Sequence, residues 1–348
     1  MDLLKYLTIR FTFLLYFSRS GSTMLANQIA RNMPDVLVFP ELDFIGLLFT
    51  SGDRYVRSLS AQRLLALLRQ DDKLDDIGLS PNEWTVIANK CAGKGILVLL
   101  TQVAVLFARH SGRDEPRVVL FQRGTLLSVT REITNLAPSA KFIHIVRDPR
   151  AAVSSIVGIR AARFTKFDKK RMGRGDVIGL SKNWLKYTRR VDDLRERLPD
   201  DVLQIQFEDL CREREEYLRR IAEFLRVSYS PAERDKAGLA VGTNEQELHT
   251  NIDRAPMLER LLAWREELTG WRGFLVEYVI GDRLEFYGYE PYFSKSVGAG
   301  KRIGYLVRGR LEYMVESVGP LSRRLAVLCK SPRLFMRMIR LKMQSGAK

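Results

Sequence analysis

The chain has 348 residues, 46% apolar and 28% charged, a mixture that excludes a disordered chain, a collagen-like repeat and a disulfide scaffold. Its 57 Lys+Arg against 41 Asp+Glu give a net charge of +16, which calls for an anionic partner: nucleic acid, phospholipid, acidic glycan or phosphorylated small molecule. From Lys295 onward there are 13 cations and only two acids, Glu312 and Glu316, so +11 sits in the last segment and +5 in everything before it.

Taken in chain order, Phe11 to Phe17 is a nearly continuous apolar run, as expected of a central strand covered on both faces. It ends in Ser18-Arg19-Ser20-Gly21-Ser22-Thr23. A helical pattern through Met24, Leu25, Gln28 and Ile29 follows and closes at Pro34, and Val36 to Phe39 then reads as a second strand. Strand, small-residue turn, helix and strand make a βαβ unit and hence a parallel sheet. Arg54 to Asn89 has a helical, polar pattern with a turn around Gly78 to Pro81. Gly95 to Ala108 reads as a buried helix, too short and too interrupted by Gln102 to span a membrane. Further strands are predicted at Val118 to Phe121, Lys141 to Val146 and Val202 to Phe207. Helices are predicted at Leu126 to Leu136, from Ala151, at Leu180 to Leu198 and at Tyr217 to Leu225. The alternation predicts an α/β fold of about five mainly parallel strands flanked by helices, with a helical insertion at about 54–110. Cys91, Cys211 and Cys329 lie far apart and His110, His144 and His249 form no metal-ligand spacing, so reduced core thiols and a core His144 are expected.

Two strand ends carry chemistry. Small residues at Ser18 to Thr23 let the chain turn tightly into a helix, so that successive N–H groups converge at a positive helix end where an anion can sit. The Walker lysine pattern is missing, and Arg19 supplies the cation instead. An ordinary helix N-cap is the alternative for this loop. At the second strand end, Arg147-Asp148-Pro149-Arg150 places a guanidinium at the strand's edge, and Ser155 follows eight residues later on the next helix. An Arg fork and a hydroxyl suit a second phosphate, and ligands of open parallel sheets bind at the strands' carboxyl ends.

The segments YFSRSGSTMLANQIA and KFIHIVRDPRAAVSS resemble the sulfotransferases that use 3′-phosphoadenosine-5′-phosphosulfate (PAPS), and VLQIQFEDL, EYLRRIAEFLRVSYSP and LEFYGYEP are similar to further stretches of that family. The resemblance covers about Phe11 to Pro291. It implies a P-loop-like sulfotransferase fold over 1–294, PAPS as cosubstrate with adenosine 3′,5′-bisphosphate as product, and no required metal. It places the 5′-phosphosulfate at Arg19, Ser20, Gly21, Ser22, Thr23 and Met24. The 3′-phosphate falls to Arg147 and Ser155, with Ser154 as an adjacent alternative. Arg at position 19, where cytosolic members carry Lys, is more like the carbohydrate, tyrosyl-protein and bacterial members than the phenol and steroid ones. The resemblance also implies Arg19 and Glu41 as catalytic residues, one stabilising developing charge on the sulfuryl group and the other acting as base. Asp43 is a neighbouring alternative to Glu41, as is a plain structural role for Glu41 at a helix start or beside Arg19. His249 lies in a stretch that matches the family only loosely. Arg123 either touches the phosphosulfate or forms a surface ion pair, and Trp264 either closes over the nucleotide or simply packs.

Two basic regions remain. Arg160 to Arg174 holds seven cations and Asp168, either to capture an acidic acceptor, such as a glycan or glycolipid, or to steer PAPS. The 295–348 extension is read as a basic amphipathic segment, with Arg333, Arg337 and Arg340 on one helical face. It suits an anionic membrane surface or docks on the core, with Pro320 and Pro332 dividing it into short helices. A cytoplasmic protein, peripheral at a membrane, is the expectation. A P-loop kinase or NTPase and a non-catalytic polyanion binder are the competing functions, and nucleic acid is the least favoured partner.

Overall fold

The computed structural model describes residues 9–113, 116–164, 177–231 and 261–330, the side chains of 159–164 and 315–330 excepted. Two compact units emerge. One comprises residues 1–148 and 186–262, the other 149–185 and 263–348.

The first unit is built on five strands: β1 (Arg10–Tyr16), β2 (Val36–Val38), β3 (Val118–Gln122), β4 (Lys141–Val146) and β5 (Val202–Gln206). They form one sheet in the order β2-β3-β1-β4-β5, every neighbouring pair parallel. The central strand β1 is buried along almost its whole length, which explains its continuous apolar run. Alternate residues feed opposite faces, as the two-residue period of a strand requires. Phe11, Phe13 and Leu15 join Phe121 and Phe142 on one face, and Leu14 and Tyr16 join Leu120, Ile143 and Ile205 on the other.

The first face is covered by the insertion, which begins earlier than its polar stretch suggests. It consists of α2 (Asp43–Ser51), α3 (Asp53–Ser58), α4 (Ala61–Leu68), α5 (Pro81–Cys91) and α6 (Ile96–His110). Phe44, Phe49, Trp84, Leu99 and Phe107 carry its contact with the sheet. The helix α5 opens with a capping box. Ser80 accepts from the Glu83 N–H while the Glu83 carboxylate accepts from the Ser80 N–H. The second face is covered by α1 (Ser22–Asn32) through Leu25 and Ile29, with Met33 just past its end. The helix α7 (Thr130–Leu136) leads into β4.

Within the second unit lie α8 (Pro149–Phe164) and the start of α9 (Val177–Arg197), whose later turns return to the first unit. After β5 the first unit adds α10 (Phe207–Arg212) and α11 (Arg214–Leu225), and Leu210, Leu218 and Ile221 complete its second face. The second unit resumes with α12 (Trp264–Glu267), α13 (Gly270–Ile280), α14 (Arg283–Phe286) and α15 (Ala299–Lys330). Its centre is a buried ion pair in which Arg150 donates to Glu277 at 2.7 Å and to the Glu290 carbonyl at 2.7 Å. The Arg150 guanidinium also lies 4.0 Å from the Trp264 ring centroid. Burial pushes the Glu277 carboxyl up, but the N–H groups of Ser294 and Tyr292, the Ser294 hydroxyl and Arg150 outweigh it and hold it below its usual range. Pro320 does not divide α15, which runs unbroken to Lys330. A single interior proline removes one backbone hydrogen bond, and a long helix tolerates that loss. Pro332 lies outside the described residues.

Candidate active site

Because all five strands are parallel, their carboxyl ends share one edge of the sheet. In spatial order that edge leads into Glu41 after β2, Arg123 after β3, the Ser18–Thr23 loop after β1, Arg147 after β4 and Phe207 after β5. Residues scattered over almost 190 positions of sequence are thereby delivered to one side of one unit.

The loop is shaped by two left-handed residues, Arg19 at φ 68° and Gly21 at φ 88°. For Arg19 this conformation is uncommon and costs about 1–2 kcal/mol. The Arg147 guanidinium donates to the Arg19 carbonyl at 2.9 Å and fixes the turn in that shape. Arg147 in turn lies 4.6 Å from the centroid of the Phe207 ring, and the same ring covers Gly21 so closely that a methyl group there would overlap it. The two sequence motifs are thus joined through Phe207, the residue that opens α10 directly after β5.

The loop does not form an ordinary N-cap. Gly21 occupies the capping position and no side chain caps α1. The first backbone bond of the helix runs from the Leu25 N–H to the Gly21 carbonyl at 3.0 Å, so the N–H groups of Ser22, Thr23 and Met24 precede the helical ladder. Beneath them the Ser20 hydroxyl is fully buried and has no hydrogen-bond partner among the described residues. Converging donors, an orphaned buried hydroxyl and a positive helix end fit an anionic group of the phosphosulfate kind.

On the neighbouring strand ends, the Tyr16 hydroxyl donates to Glu41 Oε1, and Arg123 Nη1 lies 4.0 Å from Glu41 Oε2. Arg123 also pairs with Asp43, so this alternative carboxylate is engaged in an ion pair. Glu41 remains about a quarter exposed (26%) and reaches solvent. Burial, then the charge and hydrogen bond of Glu41, raise the Tyr16 phenol well above its usual range, so Tyr16 stays a neutral donor. Tyr16 was hidden in an apolar run. Its signal was that a tyrosine ending a buried strand needs a partner for its hydroxyl.

In the second unit, Ser155 is half-buried on α8. Its neighbour Ser154 is buried and donates to Glu267 at 2.6 Å. Trp264 is packed edge-on against Tyr292, with ring centroids 5.5 Å apart, as the plain structural reading expects. His144 is a core residue whose ring lies 3.2 Å from Gln204. Cys91 and Cys211 are free and buried. His249, the Arg160–Arg174 side chains and Arg333, Arg337 and Arg340 lie outside the described residues.

A search of curated protein sequences found no match. The model of the sulfotransferase family matches residues 12–231. The chain belongs to the sulfotransferase family. This sulfotransferase is similar to the solved sulfotransferase domain of the olefin synthase of Synechococcus PCC 7002, at 23% identity and a TM-score of 0.52, over 81% of this chain and 95% of that one. It is also similar to the sulfotransferase domain from the curacin biosynthetic pathway, at 15% identity and a TM-score of 0.52, over 81% and 98% of the two chains. These likenesses show the fold. Membership of the family makes the chain a transferase of sulfuryl groups with PAPS as donor, and the kinase and non-catalytic readings fall.

Proposed function

We propose that this sulfotransferase moves the sulfuryl group of PAPS onto an acceptor hydroxyl of a glycan or glycolipid, with Glu41 as the base. What carries the reading is the juxtaposition at one sheet edge of an anion-binding loop and a carboxylate oriented by a buried tyrosine. When bound, PAPS supplies the sulfuryl group and leaves as adenosine 3′,5′-bisphosphate. The N–H groups of Ser22, Thr23 and Met24, the Ser20 hydroxyl and Gly21 would hold the 5′-phosphosulfate. Arg147 would hold the 3′-phosphate. Arg19 would stabilise the charge that grows on the leaving phosphate oxygen. Glu41 would accept the proton of the acceptor hydroxyl as that oxygen bonds to sulfur and the sulfur–phosphate oxygen bond breaks. Tyr16 already donates to Glu41 Oε1, which orients the carboxylate.

The glycan or glycolipid acceptor rests on Arg19 in place of a lysine and on the seven cations of Arg160–Arg174. The basic 295–348 segment adds an anionic membrane surface as the proposed place of action. The test is a screen of glycans and glycolipids with labelled PAPS, followed by Glu41→Gln on the best acceptor. Glu41→Gln should lower turnover by about 100-fold or more while leaving the thermal shift with adenosine 3′,5′-bisphosphate intact. Full turnover in that variant would remove Glu41 as base.

A further inference from the structure

The N-terminal half of α15 has two unlike faces. One is docked. Tyr305 packs on Phe274 with ring centroids 5.7 Å apart, Gly309 lies so close to Leu275 of α13 that a side chain there would overlap it, and Glu312 pairs with Arg272 at 3.0 Å. The opposite face carries Ile303, Val307, Leu311 and Met314 at i, i+4, i+8 and i+11, the spacing of one helical stripe. Their exposures are 67%, 56%, 55% and 48%. Four large apolar side chains in a row, each about half or more in water, are a coherent surface rather than scattered exposure.

The charge on this stretch of helix has one sign. Arg310 is exposed at the edge of the stripe and Lys301 is exposed beyond it, while Arg302 donates to the Val297 carbonyl and Arg308 stacks on Trp271. Glu312, the one acid between Ala299 and Met314, is turned to the docked face and neutralised by Arg272. A second copy of the chain on this stripe would bring the same cations against one another, which disfavours self-association. An anionic bilayer complements both features, since the apolar stripe enters the acyl boundary while Arg310 and Lys301 meet lipid headgroups. No described helix is long and apolar enough to cross a membrane, so the contact lies in the interface plane.

We propose that the outward face of α15, centred on Ile303, Val307 and Leu311, is a docking surface for an anionic lipid bilayer. This deepens the membrane part of the reading above. It assigns the contact to a face already displayed on a docked helix, and the chemistry at Glu41 can fail without affecting it. The full-length protein is to be co-sedimented with phosphatidylcholine vesicles with and without phosphatidylserine. Wild type should bind only the phosphatidylserine vesicles and release them as salt rises. Val307→Glu/Leu311→Glu should bind at least tenfold more weakly, with its thermal unfolding and its sulfuryl transfer to a soluble acceptor unchanged. Arg310→Glu, on the edge of the stripe, should also weaken binding more than tenfold, so the surface is tested even if the paired variant fails to fold. Three results would overturn the proposal: wild type ignores phosphatidylserine vesicles, the folded variants bind them as wild type does, or wild type is a dimer that the paired variant splits.

Discussion

Gly21 sits at φ 88° directly under the Phe207 ring, so a backbone constraint and a packing constraint meet at one position. Any side chain there is strained by the left-handed conformation and also displaces the ring that supports Arg147. Gly21→Ala should therefore distort the turn that aims the α1 N–H groups. We expect at least a tenfold loss of affinity for adenosine 3′,5′-bisphosphate, measured by calorimetry, with the overall fold retained. Wild-type affinity in Gly21→Ala would show that the shape of this turn does not set the anion site. The position of the loop and of Arg147 at strand ends was legible in the sequence, because each follows directly on an apolar strand run. Tyr16 and Phe207 were not legible, since nothing in an apolar run reveals which ring will meet a carboxylate or cover a glycine 186 positions away. Those partners are set by strand order, which the local pattern does not contain.

The strands themselves were legible almost to the residue, because a central parallel strand has no polar face to confuse the reading. β4 runs from Lys141 to Val146, the same span its apolar pattern predicts. Within that strand His144 is held neutral. Complete burial pushes its imidazole down to about 4, against the smaller upward pull of Gln204. The sign follows from linkage. Between about pH 6.5 and pH 4 the unfolded chain takes up a proton that the folded one refuses, so stability falls as pH falls through that window. From pH 7 to pH 5 the loss attributable to this one group is about 2 kcal/mol. Urea unfolding of wild type and His144→Gln at both values should show that much of the acid-induced loss missing in the variant. Equal losses in the two proteins would mean that the ring is protonated in the folded state. Less legible were the helices that hold no strand pattern. The polar stretch at Arg54 conceals an insertion that starts at Asp43, and Pro320 signals a break that α15 does not make.

For the whole molecule, the net charge of +16 divides among chemically different tasks. Arg19 and Arg147 stand at the carboxyl edge of the sheet, Arg123 is paired with Asp43, and Arg150 is sealed in a buried ion pair with Glu277. Arg150 thus does structural work although it stands three residues from Arg147 in the same motif, a distinction that sequence spacing could not make. Arg310 of α15 adjoins an exposed apolar stripe, a pairing that depends on which face of that helix is docked. The central claim is that the sheet edge around Ser18–Thr23 and Arg147 is a site for a nucleotide phosphorylated at both its 3′ and 5′ positions. Thermal unfolding of wild type and Arg147→Ala with adenosine 3′,5′-bisphosphate, and with ATP as control, tests it most directly. The account predicts that the bisphosphate stabilises wild type by several degrees, that ATP does so far less, and that Arg147→Ala loses the effect. No stabilisation of wild type by the bisphosphate, or an equal shift in Arg147→Ala, would contradict it.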